Sequence, residues 1–218
     1  MSSMFCSAMN TTSPQDKYLA LAANLQKRIA FAERILSLGA PPSQAVETVC
    51  LQGRKALETI AYMCLVATER GLGPLGVPRD AKQHWNAEAI FRSLKKKSLN
   101  VLPSPSKMTP SSDYRFKATF IGIPENRLTY DELIALYRLF HRGLHEPNPY
   151  VTTADDAFYV NLIPELLGAV DRIKRFVWVH YIGIKGQGYA VDLYNTHGLT
   201  VVLPLTKTSD TPDDLVGS

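Results

Sequence analysis

Apolar residues recur at three- and four-residue intervals along most of the chain up to about residue 175, and this spacing predicts helices. Two long helices are predicted over 14–38 and 44–70, each preceded by a serine that can cap it and followed by a glycine. The proline pair at 41–42 leaves only a short link, so these helices should pack as an antiparallel hairpin. A shorter helix is predicted over 86–97.

Two later helices begin at capping boxes, the first at Thr129 with Glu132 and the second at Thr153 with Asp156. Pro147 forbids continuation of the first of these helices. Its apolar side is predicted to consist of Leu133, Tyr137, Phe140 and Leu144. The second helix should reach about residue 175, kinked or split at an internal proline, Pro164.

The pattern changes near the C-terminal end, where β-branched and aromatic residues dominate three short runs separated by GQG and NTHG. These runs predict a three-stranded meander over 177–206, which is too small to be stable alone and should dock on the helices. Proline and serine in 101–113 predict a mobile loop without regular structure. The sequence leaves 114–123 open between a strand and an extended connection.

The predicted fold class is therefore mainly α: an antiparallel helical bundle with a small C-terminal antiparallel β-meander. The predicted organisation is a disordered N-terminus over 1–12, a helical domain over 13–176, the meander over 177–206 and an acidic flexible tail over 207–218.

Positive charge is unevenly distributed along the 218 residues, whose formal net charge is +4. The segment 79–117 holds nine basic residues against three acidic ones, so it carries +6. This excess permits a polyanionic partner such as RNA, with Lys95, Lys96 and Lys97 as candidate contacts to the phosphate backbone. The alternative is that these lysines form an ordinary solvated face.

Several protein classes are disfavoured by missing signals. No run of about twenty apolar residues predicts a membrane span, and the N-terminus lacks a secretory pattern, so a cytoplasmic location is expected. The three cysteines lack metal-ligand spacing and are predicted to be buried thiols without a metal or redox role. Phosphate loops, CxxC, HExxH and GxSxG are absent, so no metal and no cofactor are expected.

The sharpest candidate site lies beside the apolar side of the helix that begins at Thr129. Arg138, His141, Arg142 and His145 recur there at three- and four-residue intervals, which places them on one face of the helix. Arginine holds phosphate oxygens in a fixed fork, and histidine exchanges a proton near neutral pH, so this strip suits a phosphodiester. The alternative is an exposed polar face with a histidine that favours the helix C-terminus.

Arg54 and Glu58 are a second candidate pair, spaced i, i+4 among core residues. They predict an intrahelical ion pair at the edge of the core. The functional alternative is that Glu58 orients Arg138 or a site histidine from the facing helix.

The helix that carries RKALETIA, followed much later by a helix that ends in LHEPNPY, resembles the HEPN superfamily over about residues 15–175. These are all-helical domains whose members include metal-independent ribonucleases of toxin and antiphage systems. The family motif of an arginine followed by a histidine is matched by Arg138 and His145. Leu139 departs from the polar residue that many catalytic members carry there, and His141 or Arg142 could supply that group.

The resemblance implies a metal-independent endoribonuclease, in a toxin or antiphage role, in which the RNA 2′-hydroxyl attacks the phosphate. His145 would transfer the proton and Arg138 would stabilise the transition-state charge. It also implies a composite site across a homodimer, with an antitoxin or other protein as a further partner. The main alternative is a catalytically inactive HEPN-type RNA-binding or adaptor domain; a helical regulator that binds a small acidic ligand is the third.

Overall fold

A computed structural model describes residues 13–68, 86–110, 118–145, 156–184, 186–193 and 200–205. In these ranges the chain forms five α-helices: α1 Pro14–Ser37, α2 Pro42–Thr68, α3 Ala87–Lys96, α4 Tyr130–Arg142 and α5 Asp156–Val177. The strands are β1 Ser104–Pro110, β2 Ala118–Gly122, β3 Val179–Ile184, β4 Gln187–Asp192 and β5 Val201–Pro204, and a short 3₁₀ turn occupies Pro124–Asn126. The ranges predicted as disordered terminus and acidic tail, 1–12 and 207–218, lie outside the described residues.

Local sequence signals explain how the helices begin. Ser13 and Asp16 form a capping box at α1, and the predicted box of Thr129 and Glu132 is present at α4, where the Thr129 amide donates to Glu132 Oε2 at 2.9 Å. Gly39 ends the first helical segment with φ +65°, a conformation that glycine adopts without strain. Thr153, predicted to cap the last helix, lies outside the described residues.

The first two helices pack along each other across a link of four residues, as the hairpin prediction requires. Their contact includes a hydrogen bond from Arg28 Nη1 to Gln52 Oε1 at 3.1 Å. The last helix, α5, runs through Pro164 as one helix, so the proline does not split it.

The sheet has five antiparallel strands in the order β2-β1-β3-β4-β5, whereas the sequence predicted three. The three predicted strands correspond to β3, β4 and β5. The prediction of a loop without regular structure over 101–113 was wrong, because Ser104–Pro110 forms β1. The undecided segment contributes β2, which pairs with β1 in the register Met108 to Phe120.

Two features of β1 explain why its prolines are compatible with a strand. Ser104 and Pro105 pair with β3, whereas the residues from Ser106 onward pair with β2, so the strand changes neighbour along its length. Pro105 lies close to the start of the strand, and Pro110 ends it, which are positions where a missing amide donor is tolerated.

The core is continuous between the bundle and the sheet. Helix α2 lies at its centre, in contact with α1, α3, α4, α5 and β3. From the sheet, Ile182, Ile184 and Val191 are buried in the same apolar cluster as the helices. The sheet therefore docks on the bundle through its buried face. No helix in the described part of the chain combines the length and apolarity needed to cross a membrane.

Candidate functional site

Helix α4 presents the candidate residues, and its buried side explains their orientation. Leu133, Tyr137 and Phe140 face the core as predicted, and Leu144 packs against it. The helix ends at Arg142, earlier than expected, so His145 lies in the turn that follows rather than on the helix itself. That turn is closed by the Leu144 amide, which donates to the His141 carbonyl at 3.2 Å.

His141 and His145 contact each other at the exposed end of α4. Their Nε2 atoms are 2.9 Å apart, and the rings meet edge to face with centroids 4.4 Å apart. One nitrogen must donate and the other accept in this contact, so the pair cannot be fully protonated while it persists. The two imidazoles are therefore joined by one N–H···N hydrogen bond.

Arg54 of α2 approaches the other side of His141, with Nη1 at 3.4 Å from Nδ1. Because a guanidinium only donates, His141 Nδ1 accepts, and the proton of the neutral ring belongs on Nε2, which then donates to His145. Burial, then His145 and then Arg54 lower the pKa of His141, and Glu88 opposes this shift. His141 is consequently disposed to remain neutral, as a proton acceptor requires.

Glu58 fixes Arg54 in this position. The ion pair predicted at i, i+4 is confirmed, with Arg54 Nε at 3.3 Å from Glu58 Oε1. The Tyr137 hydroxyl donates to the same oxygen at 3.3 Å, and the Arg54 guanidinium lies 5.3 Å from the Tyr137 ring centre. Glu58 thus acts on the histidine pair through Arg54.

Arg138 has a different carboxylate partner, Glu88 of α3. Its Nη2 lies 2.6 Å from Glu88 Oε1 and its Nε lies 3.2 Å from Oε2, a two-point contact between an exposed arginine and a half-buried carboxylate. Arg92 donates to the same Oε1 from Nη2 at 2.8 Å. The bond from Arg138, followed by that from Arg92, lowers the pKa of Glu88 against the effect of burial.

A groove of about 450 Å³ runs between α3 and α4 beside these groups. Arg92, Lys95, Lys96 and Arg138 line it, and Ile134 and Ala135 line it from α4. Lys95 Nζ contacts both carboxylate oxygens of Asp131, at 2.7 and 2.5 Å. Lys97, the third predicted RNA-binding lysine, caps the C-terminal end of α3 and is exposed.

The basic residues predicted on one face of α4 therefore contact three different helices. Arg138 meets α3, His141 meets α2, and Arg142 donates to Glu165 of α5 at 2.7 Å. Arg138 contacts Glu88 and His145 contacts His141, so the two predicted catalytic residues do not share a partner.

Sequence reasoning missed Glu88, Arg92 and Asp131, which organise the groove. The i, i+4 spacing of Glu88 and Arg92 was the available signal. Nothing in the sequence pointed to Glu88 as the partner of Arg138, which lies fifty residues further along the chain.

The part of the chain that the structure describes can be searched for metal ligands and for reactive thiols. Among the described residues, no group of three or more His, Cys, Asp or Glu side chains could hold a metal ion. Cys50 and Cys64 are buried free thiols, as predicted, and burial raises their pKa to about 11 and about 12. Cys6 lies outside the described residues.

Fold and site together define a mainly helical protein with a small antiparallel sheet, an exposed histidine pair and an adjoining cationic groove. Comparison with protein-family models, with curated proteins and with solved structures finds no match to this chain.

Proposed function

We propose that this chain is a metal-independent endoribonuclease of the HEPN type. The observation that carries the proposal is the contact between His141 and His145 at an exposed helix end, beside Arg54. Two imidazoles joined by a hydrogen bond, next to a guanidinium, match the needs of phosphodiester cleavage through the 2′-hydroxyl. The basic groove alongside supports RNA as the substrate class.

In this reaction the histidine pair accepts the proton of the RNA 2′-hydroxyl as its oxygen attacks phosphorus. The bond between phosphorus and the 5′-oxygen breaks, and the leaving oxygen receives a proton from an imidazolium. The products are a 2′,3′-cyclic phosphate and a 5′-hydroxyl end. Arg54 and Arg138 stabilise the negative charge that develops on the phosphate oxygens.

The geometry of in-line attack favours a homodimer. The entering 2′-oxygen and the leaving 5′-oxygen lie on opposite sides of phosphorus, so the proton acceptor and donor must also lie on opposite sides. A single histidine pair at one helix end reaches one side. A second copy of the chain would supply the other pair, in line with the composite site of the HEPN family.

The test is RNA cleavage in EDTA by purified variants. His145→Ala and His141→Ala should each lower the rate by about 10²- to 10⁴-fold, because each removes one proton-transfer group. Arg138→Ala should also reduce cleavage strongly. Arg175→Ala is the matched control: this exposed arginine pairs with Asp171 within α5, so its loss should leave the rate unchanged.

A catalytically inactive RNA-binding domain is the second candidate, and one observation favours it. Arg138 is already held at two points by Glu88, and Leu139 occupies the place of a polar family residue. Under this alternative, purified protein binds RNA and any residual cleavage survives His145→Ala. That result would remove the nuclease assignment.

A further inference from the structure

In the groove between α3 and α4, the cleavage chemistry gives a role to Arg138 but none to Glu88, the carboxylate that pairs with it. Two guanidinium groups from different helices, Arg92 and Arg138, converge on one carboxylate, Glu88. Two arginines that surround a single anion form the arrangement proteins use to hold a phosphate group. Here the anion is part of the chain.

The rest of the groove extends this pattern along one direction. Lys95 and Lys96 follow Arg92 by three and four residues, so the cations form one stripe along α3. Lys95 is likewise held by a carboxylate, Asp131. With four cationic side chains and two acidic partners, the groove retains two positive charges.

The floor of the groove is apolar and small. Ile134 is buried, and Ala135 is exposed on α4 with a side chain of a single methyl group. A larger residue at 135 would fill the space between the two helices. The groove has a volume of about 450 Å³, which is large enough for a nucleotide unit.

We propose that this groove binds the phosphate backbone of single-stranded RNA and that Glu88 occupies the position of one phosphate until the strand displaces it. The proposal rests on the proposed function and names a subsite and its regulation: Glu88 lowers the affinity for RNA by competing for Arg92 and Arg138. An incoming phosphate takes over both guanidinium groups and leaves Glu88 to solvent.

The lowered pKa of Glu88 agrees with this role, because its two arginine partners keep the carboxylate ionised as a competitor. The side chains of Arg92 and Arg138 are each 59% exposed, so a ligand can reach both. An ion pair in which the arginine is this exposed contributes little to stability, so exchanging Glu88 for a phosphate has a small cost.

The experiment measures binding of a short single-stranded 2′-O-methyl oligonucleotide, which has no free 2′-hydroxyl and cannot be cleaved by 2′-attack. Binding and cleavage are thereby separated, and the groove can be tested whether or not the chain is a nuclease. Fluorescence anisotropy gives the dissociation constant, and thermal unfolding gives the stability of each variant. Inorganic phosphate as a competitor distinguishes a site for the free anion from one that needs a strand.

Glu88→Gln should bind about fivefold more tightly at low salt, since it removes one negative charge beside the bound phosphate. The slope of its affinity with salt should stay close to that of the unmodified chain, because the bound strand makes the same phosphate contacts in both proteins. Glu33→Gln is the matched control, because Glu33 forms an ion pair with Lys174 on the α1–α5 side of the bundle. This control should bind as the unmodified chain does.

Ala135→Leu should lose most of its affinity without any change in charge, because leucine fills the floor and retains helix propensity. Unchanged or weaker binding by a folded Glu88→Gln would overturn the competitor role and leave Glu88 as a link between helices. If Ala135→Leu bound the oligonucleotide as tightly as the unmodified chain does, the groove would not be the RNA-binding site. If Glu88→Gln fails to fold, Ala135→Leu still decides on the groove, and Glu88→Asp decides on the competitor role. Its shorter side chain keeps the charge but reaches the two arginines less well, so it should bind more tightly than the unmodified chain, and unchanged binding would overturn that role.

Discussion

At the scale of single residues, His180 on β3 shows how a buried polar group ties the sheet to the bundle. It is fully buried, its Nδ1 lies 2.9 Å from the Val177 carbonyl, and its Nε2 lies 2.9 Å from the Tyr18 hydroxyl. A carbonyl only accepts, so Nδ1 carries the proton and Nε2 accepts from Tyr18. The neutral imidazole therefore satisfies both neighbours.

Burial lowers the pKa of His180 to about 4, although the hydrogen bond to the Val177 carbonyl acts to raise it. The stability of the fold therefore depends on pH. The stabilisation of the fold by neutral His180 is fully present above about pH 6.5, the ordinary pKa of histidine. It is lost as the pH falls toward about 4, because the unfolded chain binds the proton at a higher pH than the folded chain does. We expect a loss of about 2–3 kcal/mol in the free energy of unfolding between about pH 7 and pH 4.5.

Urea unfolding of His180→Gln measures this prediction. Glutamine can still hydrogen-bond but does not titrate, so the variant should be less stable at neutral pH and should lose about 2–3 kcal/mol less on acidification. Carboxylates titrate equally in both proteins and cancel in the difference. An identical pH dependence in the two proteins would mean that His180 is not held neutral.

The sequence could predict that His180 lies on a strand, but not its role. Its partner Tyr18 lies 162 residues away on α1, and no local pattern encodes that contact. The same limit applied to Glu88 and Arg138, whereas Arg54 and Glu58 were predicted as a pair because both lie on one helix.

At the scale of elements, the close approach of α2 and α4 positions the site. Gly53 of α2 lies against the buried Phe140 ring of α4, where an added Cβ would clash with the ring atoms. The next residue, Arg54, is thereby brought within reach of Tyr137 and His141. The glycine allows the helices to approach as closely as the histidine contact requires.

Gly53→Ala should therefore destabilise the fold by about 1–3 kcal/mol through overpacking, despite the better helix propensity of alanine. Gly168→Ala in α5 is the control, since a methyl group added there would meet nothing within 4 Å, and it should stabilise by about 0.5–1 kcal/mol. Denaturant unfolding of both variants measures the difference. Equal stabilisation by the two substitutions would contradict the close contact.

Helices were predicted correctly where the spacing of apolar residues and the capping residues agreed. Strand β1 was missed because its serine and proline content is typical of a loop. Helix α4 begins at the predicted capping box, and α1 begins directly after Ser13, the serine predicted to cap it. Strand β1 is rich in serine and proline, and its place in the sheet depends on β2 and β3, so its own residues predicted a loop. Whether a segment forms a strand depends on the strands that it pairs with, and its own residues do not show these.

At the scale of the whole molecule, the proposed reaction requires two copies of the chain. Sedimentation velocity at micromolar concentration should show a dimer, because one histidine pair reaches one side of the scissile phosphate. Adding an excess of His145→Ala to the unmodified chain should lower cleavage per unmodified chain, because mixed dimers hold only one intact histidine pair. A strictly monomeric chain, or cleavage that excess His145→Ala leaves unchanged, would contradict a composite site.

Whole-molecule prediction from sequence reached the helical class and the basic lysines of α3, but neither the groove that they line with α4 nor the ion pairs that divide the site. Lys95 and Lys96 were predicted as RNA contacts and do line the groove with Arg138. Arg142 was predicted beside the histidines and instead meets Glu165, because helix spacing fixes a direction but not the neighbour that lies there.

The most direct test of the nuclease proposal is the chemistry of its products. An oligonucleotide with a single ribonucleotide in a DNA strand offers one 2′-hydroxyl, and mass spectrometry in EDTA identifies the ends after cleavage. We expect cleavage only at that ribonucleotide, with a 2′,3′-cyclic phosphate and a 5′-hydroxyl, and loss of this cleavage in His145→Ala. Cleavage of the all-DNA strand, dependence on added metal, or ends without a cyclic phosphate would contradict the proposed reaction.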